Sequence, residues 1–335
     1  MKFGVLFLPS GWKGTSEERV YLNTLGEAEA AEALGYDSVW LTEHRFTQYG
    51  RPGVSPLAAA IAARTRRIRI GTSVYVLPLH HPLEIAEDAA VIDILSGGRL
   101  DFGVGRGYQP EELLAFEVDF ETSRERHNEA LEVILQAWTT GKVEHEGRYW
   151  RIPPRDFRPL PLQKPHPPVW QPIVSPSSFD ETVKLRKNAI IGSYMSPLSR
   201  FEQGYKAWFE ALDRNGVARS ELQVVSSLVV HVAETEAEAR KNCEESYIWN
   251  ARTFGGLIEP GRPEIKKYYA DVSYDFIVQA GSLTGTPDHV REGIKQLQAY
   301  GLDYVVGFMN VADMDHQAVL RSMELFAKEV MPHFR

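Results

Sequence analysis

Eight short apolar segments, separated by helical patterns, constrain the fold of this chain more than any other feature of its sequence. Each is a nearly continuous run of apolar and β-branched residues, which is typical of strands buried on both faces of a parallel sheet. The segments are Phe3–Leu8, Ser38–Leu41, Ile68–Leu77, Leu100–Val104, Val169–Val174, Ile190–Tyr194, Val224–Val232 and Tyr304–Phe308. Their alternation with helices predicts an α/β protein, a (β/α)8 TIM barrel with insertions. A doubly wound sheet is disfavoured, because no early Gly-rich strand–helix turn is present.

Two stretches interrupt this alternation, and we interpret both as insertions into one domain that spans residues 1–335. Gly141–Pro168 combines a short hairpin pattern with a proline-rich crossing, so it predicts a surface excursion. Thr253–Ala280 has only weak periodicity, which predicts a mobile loop or lid.

The composition narrows the class of protein and its surroundings. The chain has 335 residues, of which 43% are hydrophobic, enough for one large α/β domain. Its net charge of −8 argues against nucleic acid or an anionic membrane as the main partner. Cys243 is the single cysteine, and no apolar run approaches the length of a membrane span. We therefore expect a cytoplasmic protein.

The fourth strand leads into a loop that could seat a phosphate group. Leu100–Val104 is followed by Gly105-Arg106-Gly107, where glycines leave the backbone open around one guanidinium. Arginine can bind phosphate oxygens through two parallel hydrogen bonds. Tyr108 stands where a dinucleotide-binding fingerprint needs its third glycine, and the Lys-Ser/Thr of a P-loop is absent. Taken alone, the loop fits equally well a simple turn whose arginine pairs with a carboxylate.

The predicted carboxyl ends of the strands, where barrel enzymes carry their active sites, hold no pair of nucleophile and base. His44 follows the second strand, and a histidine can transfer protons because it titrates near neutral pH. His80 and His81 are adjacent on an extended segment and therefore point apart, so we predict no metal site.

Several motifs together resemble the bacterial luciferase family of flavin-dependent monooxygenases. They are M-K-F-G at the start, D-S-V-W-L-T-E-H-R-F at 37–46, G-T-S-V-Y-V-L-P-L-H-H-P at 71–82, G-G-R-L-D-F-G-V-G-R-G at 97–107, G-T-P-D-H-V at 285–290 and M-E-L-F-A-K-E-V-M-P at 323–332. The resemblance covers nearly the whole chain. It implies a (β/α)8 barrel that binds a flavin at its mouth.

The resemblance also implies how the flavin is held. Arg106 matches the arginine that binds the FMN phosphate. The other implied cofactor contacts are Gly107, Tyr108, Ser175, Ser178 and Phe179. Independently, Ser177 or Ser178 could cap the helix that begins there, and free N–H groups at a helix start attract anions. Ser73 and Val74 match a non-prolyl cis peptide bond that supports the flavin ring in the family.

His44 matches the catalytic histidine of the family, and Glu43 could either orient His44 or pair with an arginine. Two departures from luciferase concern the chemistry. Gly105 stands in place of a reactive cysteine, and Arg45 replaces a second histidine. The 253–280 loop is also shorter than its luciferase counterpart. The resemblance therefore favours a member of the family that emits no light.

The function implied by the resemblance is that of a two-component monooxygenase. A separate flavin reductase would supply reduced FMN, O2 would add at the flavin C4a, and the resulting peroxyflavin would oxygenate a small organic substrate. Aromatic and other apolar side chains could line its pocket: Trp12, Tyr108, Tyr194, Met195 and Trp249.

Two other functions stay open at this point. One is F420-dependent hydride transfer on the same fold, although the arginine of G-V-G-R-G favours FMN. The other is a non-catalytic flavin-binding subunit, which the presence of His44 and Arg106 disfavours. Because family members commonly dimerise through helices of the N-terminal half, we also expect a homodimer, and the alanine-rich helix Pro56–Ala63 would allow close helix contact.

Overall fold

The computed structural model describes residues 1–173, 177–192, 198–257 and 271–335, with the backbone alone described at 177 and 255–257. Its strands are β1 Lys2–Phe7, β2 Ser38–Leu41, β3 Arg69–Thr72, β4 Tyr75–Val76, β5 Leu100–Gly105, β6 Lys142–Glu146, β7 Arg151–Asp156, β8 Val169–Pro172, β9 Asn188–Gly192, β10 Val224–Val232, β11 Leu283–Gly285 and β12 Tyr304–Phe308. Eight of these strands pair in the order β10-β12-β1-β2-β3-β5-β8-β9, and β9 pairs with β10 to close the ring. Every pairing in the ring is parallel. The predicted (β/α)8 barrel is therefore confirmed.

Helices surround this barrel and follow its strands along the chain. They are α1 Glu17–Ala33, α2 Val54–Arg64, α3 Pro82–Ser96, α4 Pro110–Ala115, α5 Ser123–Thr140, α6 Ser177–Lys184, α7 Leu198–Arg214, α8 Glu236–Leu257, α9 Tyr274–Gln279, α10 Pro287–Ala299 and α11 His316–Leu325. Short 3-10 turns occur at Leu77–Leu79 and Met331–His333, and a π-helical turn at Phe326–Val330. Among the helices described here, none is both long and apolar enough to cross a lipid bilayer.

Large aromatic side chains fill the inside of the barrel, so it is a packed core rather than a pore. The Trp40 ring lies edge-on to the rings of Trp170 and Tyr304, with centroids 5.2 and 6.4 Å away. Beside these rings, the Arg69 guanidinium donates to the Asp101 carboxylate at 2.7 Å. Because this core occupies the interior, a ligand site has to be built on the loops at the carboxyl ends of the strands.

The third predicted strand, Ile68–Leu77, is wrong as a single element. It is divided into β3 and β4, and the peptide bond between Ser73 and Val74 at the division is cis, as the resemblance implies. β4 pairs with the end of β5, where Val76 lies opposite Gly105. The sequence gives no signal of the division, because β-branched residues continue across it.

The predictions for the two insertions have different outcomes. The 141–168 excursion contains the predicted hairpin, formed by antiparallel β6 and β7. The interpretation of Thr253–Ala280 as a loop is wrong at both ends, since α8 continues to Leu257 and α9 occupies Tyr274–Gln279. Residues 258–270 lie outside the described part of the chain. The short elements α4, α9 and β11 were not predicted, because a segment of so few residues is too short to show a clear periodicity.

Candidate active site

The loops after β2 and β5 bring four side chains together at the carboxyl end of the barrel. His44 follows β2, Tyr108 and Gln109 follow β5, and Glu112 lies in α4. His44, Gln109 and Glu112 are buried, with exposed fractions of 9, 2 and 3%. Since all parallel strands of a barrel end at the same rim, residues more than sixty positions apart become direct neighbours here.

Glu112 holds the His44 ring in place. The His44 Nδ1 atom lies 3.2 Å from Glu112 Oε1, and the same oxygen accepts the backbone N–H of Arg45 at 2.8 Å. A carboxylate can only accept, so in a neutral ring the Nδ1 atom carries the proton of this pair and Nε2 is left as an acceptor. The Gln109 amide nitrogen is also placed 3.1 Å from Nδ1 while the amide oxygen has no partner, so this tautomer requires the amide to be turned with its oxygen towards the ring. Sequence reasoning missed Glu112, because nothing in the pattern of so short a helix connects it with His44.

Three aromatic rings, which we call the aromatic cage, surround the other side of His44: Tyr49, Tyr108 and Phe254. The rings of Tyr49 and Tyr108 lie 5.1 and 5.7 Å from the His44 ring. The Phe254 ring lies 5.9 Å from Tyr49 and 6.2 Å from Tyr108. The Tyr108 hydroxyl is 3.4 Å from His44 Nε2. The cage therefore places an apolar surface beside the one histidine nitrogen that can accept a proton.

Glu43 pairs with an arginine and does not contact His44 in the described structure. Its carboxylate accepts from the Arg45 guanidinium at 2.5 Å and from the backbone N–H of Val76 at 2.7 Å, and it lies 2.8 Å from His80 Nε2. Burial by itself would raise the pKa of the Glu43 carboxyl, but these partners hold that pKa below its ordinary value. Glu43 is thus an anion that ties the loop carrying His44 to β4.

The glycine-flanked loop after β5 packs closely on the segment around the cis peptide bond. A Cβ atom at Gly105 would lie 2.6 Å from a methyl carbon of Val74, and one at Gly107 would lie 2.9 Å from Val76. Gly107 also has a φ of +79°, a conformation that favours glycine. The Arg106 guanidinium between them stacks on the Phe120 ring at 4.8 Å and lies 3.5 Å from the Ser123 hydroxyl.

The second predicted half of the phosphate site lies at the start of α6. Ser178 is half-buried in its first turn, and the Phe179 side chain is buried in the hydrophobic core, so Phe179 can offer a ligand only its backbone. The prediction for Ser175 falls on residues 174–176, outside the described part of the chain. The same holds for Tyr194 and Met195.

Comparison with known proteins identifies the family of this chain. The family model for luciferase-like monooxygenases matches residues 1–304. The chain belongs to the luciferase-like monooxygenase family. The oxygenase component of flavin-dependent trigonelline monooxygenase from Acinetobacter baylyi is 27% identical over 342 residues, covering 95% of this chain and 91% of that relative.

Two solved structures share the fold over the whole chain. Monooxygenase RslO1 from Streptomyces bottropensis has a TM-score of 0.89 and 28% identity, with complete coverage of both chains. A coenzyme F420-dependent tetrahydromethanopterin reductase from Methanopyrus kandleri has a TM-score of 0.77 and 22% identity over 100% of this chain and 99% of that chain, a likeness of fold. The chain is therefore an enzyme of a family of flavin-dependent monooxygenases and oxidoreductases.

Sequence reasoning missed two buried basic residues of this luciferase-like chain, and one of them, His127, lies beside the loop that carries Arg106. Burial, reinforced by the charge of Lys187, lowers the pKa of His127 to about 3, so its ring is neutral at pH 7. Burial also lowers the pKa of Lys187 to about 8, and its ammonium group donates to Gln171 Oε1 at 2.9 Å. Both residues are less than 6% exposed.

The other side chains singled out in the sequence have separate roles. His80 contacts Glu43, while His81 accepts from the N–H of Leu83 at the start of α3. Among the described residues, no group of three or more His, Cys, Asp or Glu could hold a metal ion. Trp12 and Trp249 stack at 4.6 Å beside a cleft of about 570 Å³.

Proposed function

We propose that this enzyme is the oxygenase component of a two-component monooxygenase that uses reduced FMN and O2 to oxidise a small organic substrate. The proposal rests on the observation that two features occur together at the mouth of the barrel. One is a guanidinium in a loop shaped for close approach, and the other is a buried His44–Glu112 pair beside an apolar cage.

The residues at the mouth fit the flavin phosphate. Val74 and Val76 leave no room for side chains at Gly105 and Gly107, so glycine at both positions lets the loop that carries Arg106 lie directly against the segment of the cis peptide bond. Arg106 would bind the phosphate oxygens, together with backbone N–H groups of Gly107 and Tyr108. On the other side, the backbone N–H groups in the first turn of α6, at Ser178 and Phe179, would complete the seat together with Ser175, because the start of a helix attracts anions. The Ser73–Val74 segment would support the flavin ring.

When bound in its reduced form, the flavin supplies the electrons that activate O2. The protein's own part is proton handling and exclusion of water. His44 keeps a proton on Nδ1, and its Nε2 can take a proton from the cage side or return one to it. Glu112 stabilises the doubly protonated ring during that exchange, as a buried carboxylate does for the histidine of other catalytic pairs. The buried Tyr49 ring and the Phe254 ring would limit the access of water to the reacting groups, while Tyr108, which is 42% exposed, lies at the edge of the cage.

FMN is the cofactor we favour over F420, since Arg106 offers a fork for a terminal phosphate. A non-catalytic subunit is disfavoured, because such a subunit has no need of a buried pair like His44–Glu112. We further propose that the chain works in the cytoplasm with a separate flavin reductase. The proposal also includes a homodimer, because α3, which packs against α2, exposes Val91, Ile94 and Leu95.

Anaerobic titration of the purified protein tests this function. Reduced FMN, reduced riboflavin and reduced F420 are titrated separately, and O2 is then admitted to each complex. We expect reduced FMN to bind tightest, and Arg106→Ala to weaken FMN binding by about tenfold or more while riboflavin binding stays unchanged.

The matched control is Arg219→Ala, which removes an exposed arginine that pairs with Asp213. It should leave all three affinities unchanged. Preference for F420, or a reduced flavin that O2 reoxidises at the same rate with and without the protein, would overturn the proposal.

A further inference from the structure

An open cleft lies between the loop after β1 and helix α8. It has a volume of about 570 Å³, and the side chains that line it are Trp12, Glu245, Ile248, Trp249, Arg252 and Thr253. Sites for small molecules usually have volumes of about 300–1,000 Å³. The cleft is therefore large enough for a small organic compound of the kind that the proposed oxygenase would oxidise.

The cleft lies at the same end of the barrel as His44. The Ser10 hydroxyl donates to the Gln48 carbonyl at 2.8 Å, so the loop after β1 is joined to the loop that carries His44. On α8, Thr253 lines the cleft, and the next residue, Phe254, belongs to the aromatic cage. A ligand in the cleft is thus held beside the candidate active site.

Two indole rings form an apolar wall of the cleft. The rings of Trp12 and Trp249 stack with centroids 4.6 Å apart and an angle of 10° between their planes. Both side chains are half-buried and therefore keep some accessible surface. The Trp12 indole N–H donates to the Ala312 carbonyl, which fixes the position of its ring. An indole surface favours a ligand with a planar ring, because aromatic rings gain from stacked or edge-to-face contacts that a saturated ring does not make.

The place in the cleft that would suit a cationic ligand is already occupied. A carboxylate beside an indole face attracts a cation, and Glu245 and Trp12 provide this combination. The Lys13 ammonium group, however, pairs with the Glu245 carboxylate at 2.8 Å. It also lies 5.4 Å from the centroid of the Trp12 ring. The negative charge of Glu245 is therefore balanced within the protein.

Arg252 supplies a positive charge that is available to a ligand. Its side chain is exposed and lines the cleft, and its guanidinium has no hydrogen bond or ion pair with any other residue that the structure describes. Arg240, earlier on the same helix, is different, because it pairs with both Glu244 and Asp275. A guanidinium can bind a carboxylate through two parallel hydrogen bonds. The cleft thus combines a flat apolar wall with a site for one anionic group.

We infer that this cleft binds an aromatic carboxylate. The Arg252 guanidinium binds the carboxylate group, and the indoles of Trp12 and Trp249 contact the ring. Arg252 and Trp249 then determine specificity, the first for the charge and the second for the ring. That the aromatic acid is the substrate of the enzyme rests on the proposed function, whereas its binding in the cleft does not.

Isothermal titration calorimetry of the purified protein tests this inference. The probes are 2-naphthoate, the neutral 2-naphthamide, and decahydro-2-naphthoate, which keeps the carboxylate but has saturated rings. The proteins are the wild type, Arg252→Gln and Trp249→Leu. Arg240→Gln is the matched control, because it removes an arginine from the same helix outside the cleft.

We expect the wild type to bind 2-naphthoate about tenfold more tightly than 2-naphthamide, and more tightly than the saturated acid. Arg252→Gln should abolish the preference for the acid over the amide, and Trp249→Leu should abolish the preference for the aromatic ring. Arg240→Gln should keep both preferences. A wild type that binds 2-naphthoate no better than either comparison compound overturns the inference, as does a preference for the acid that survives in Arg252→Gln.

A separate titration with reduced FMN distinguishes this inference from the proposed function. If reduced FMN fails to bind while 2-naphthoate binds in a manner that depends on Arg252, the proposed function is overturned and the ligand class of the cleft is confirmed. If reduced FMN binds and 2-naphthoate does not, only the inference about the cleft is overturned.

Discussion

Glu112 fixes the orientation of the His44 ring at the carboxyl end of the barrel. Its carboxylate contacts the His44 ring and also accepts the N–H of Arg45, so it fixes the ring and the adjoining backbone together. Glu43, next to His44 in the sequence, instead binds Arg45, His80 and β4. Adjacency in sequence is a poor guide here, because successive side chains of an extended segment point to opposite sides.

Substitution of Glu112 by alanine should release the His44 tautomer. The wild type should give the nitrogen-15 NMR pattern of a ring protonated at Nδ1, and Glu112→Ala should give a mixture of tautomers. The variant should also lose about 1–3 kcal/mol of unfolding free energy, because the Arg45 N–H is left without its acceptor. Glu111→Ala, at the exposed neighbouring position on α4, is the control and should change neither quantity. An unchanged His44 signal in Glu112→Ala would show that the contact does not set the tautomer.

The glycines of the loop between β5 and α4 determine how closely this loop packs against β4. Its glycines are needed for two separable reasons, a positive φ and close contact with β4. Gly107 has both, with φ +79° and a Cβ position 2.9 Å from Val76. Gly14 has a similar φ of +92°, but nothing lies within 4 Å of its Cβ position.

This pair of glycines allows the two costs to be measured separately. Gly14→Ala should lower the unfolding free energy by about 1 kcal/mol, the cost of the backbone conformation alone. Gly107→Ala should cost about 2–4 kcal/mol, since a methyl group is also forced against Val76. It should also weaken FMN binding, whereas Gly14→Ala should not. Chemical denaturation and FMN titration measure both effects, and equal losses of stability would refute the role of the contact.

Helix α5 carries His127 beneath the same loop, and this burial makes stability depend on pH. The pKa of His127 is about 3 in the folded protein against 6.5 for an ordinary histidine. Between these pH values the unfolded chain binds one more proton, so the unfolding free energy falls as the pH falls from 6.5 to 3. The full effect corresponds to about 5 kcal/mol at 1.36 kcal/mol per pH unit.

His127→Leu should therefore flatten the acid side of the stability profile. We expect the difference in unfolding free energy between variant and wild type to grow steadily below pH 6.5 and to be constant above pH 7. Denaturant titrations at a series of pH values provide the measurement. Parallel curves over the whole range would show that the pKa of His127 is the same in the folded and the unfolded protein, and would contradict the prediction.

On the surface of the described part of the molecule, helix α3 exposes a row of apolar side chains. Val91, Ile94 and Leu95 on α3 are 41, 40 and 54% exposed. They lie three and four residues apart and so share one side of the helix. A second copy of the chain would cover this row in the proposed homodimer.

A single charge in this row should prevent dimerisation. We expect Leu95→Glu to halve the mass measured by light scattering, because burying a carboxylate at an apolar interface is costly. Leu162→Glu is the control, since Leu162 has the same exposed fraction of 54% but lies in the 141–168 excursion. A wild type that is monomeric at all concentrations, or a Leu95→Glu variant that stays dimeric, would contradict the predicted interface.

The sequence by itself determined the barrel and indicated where a candidate site lies. The eight strands could be predicted because each is a local run of apolar residues, and their alternation with helices leaves few possible topologies. Arg106 between its glycines was visible for the same reason, since the whole signal lies within three residues. The resemblance to a known family added His44 and the cis Ser73–Val74 bond.

Only the tertiary structure decided which residues complete the site. Glu112 meets His44 across 68 positions of sequence, and Phe254 joins the cage from a stretch that local periodicity marked as a loop. The cleft beside Trp12 likewise forms between the loop after β1 and helix α8, which are far apart in the sequence. These contacts arise between distant segments, whereas sequence patterns report the preferences of near neighbours, and for that reason they could not be predicted.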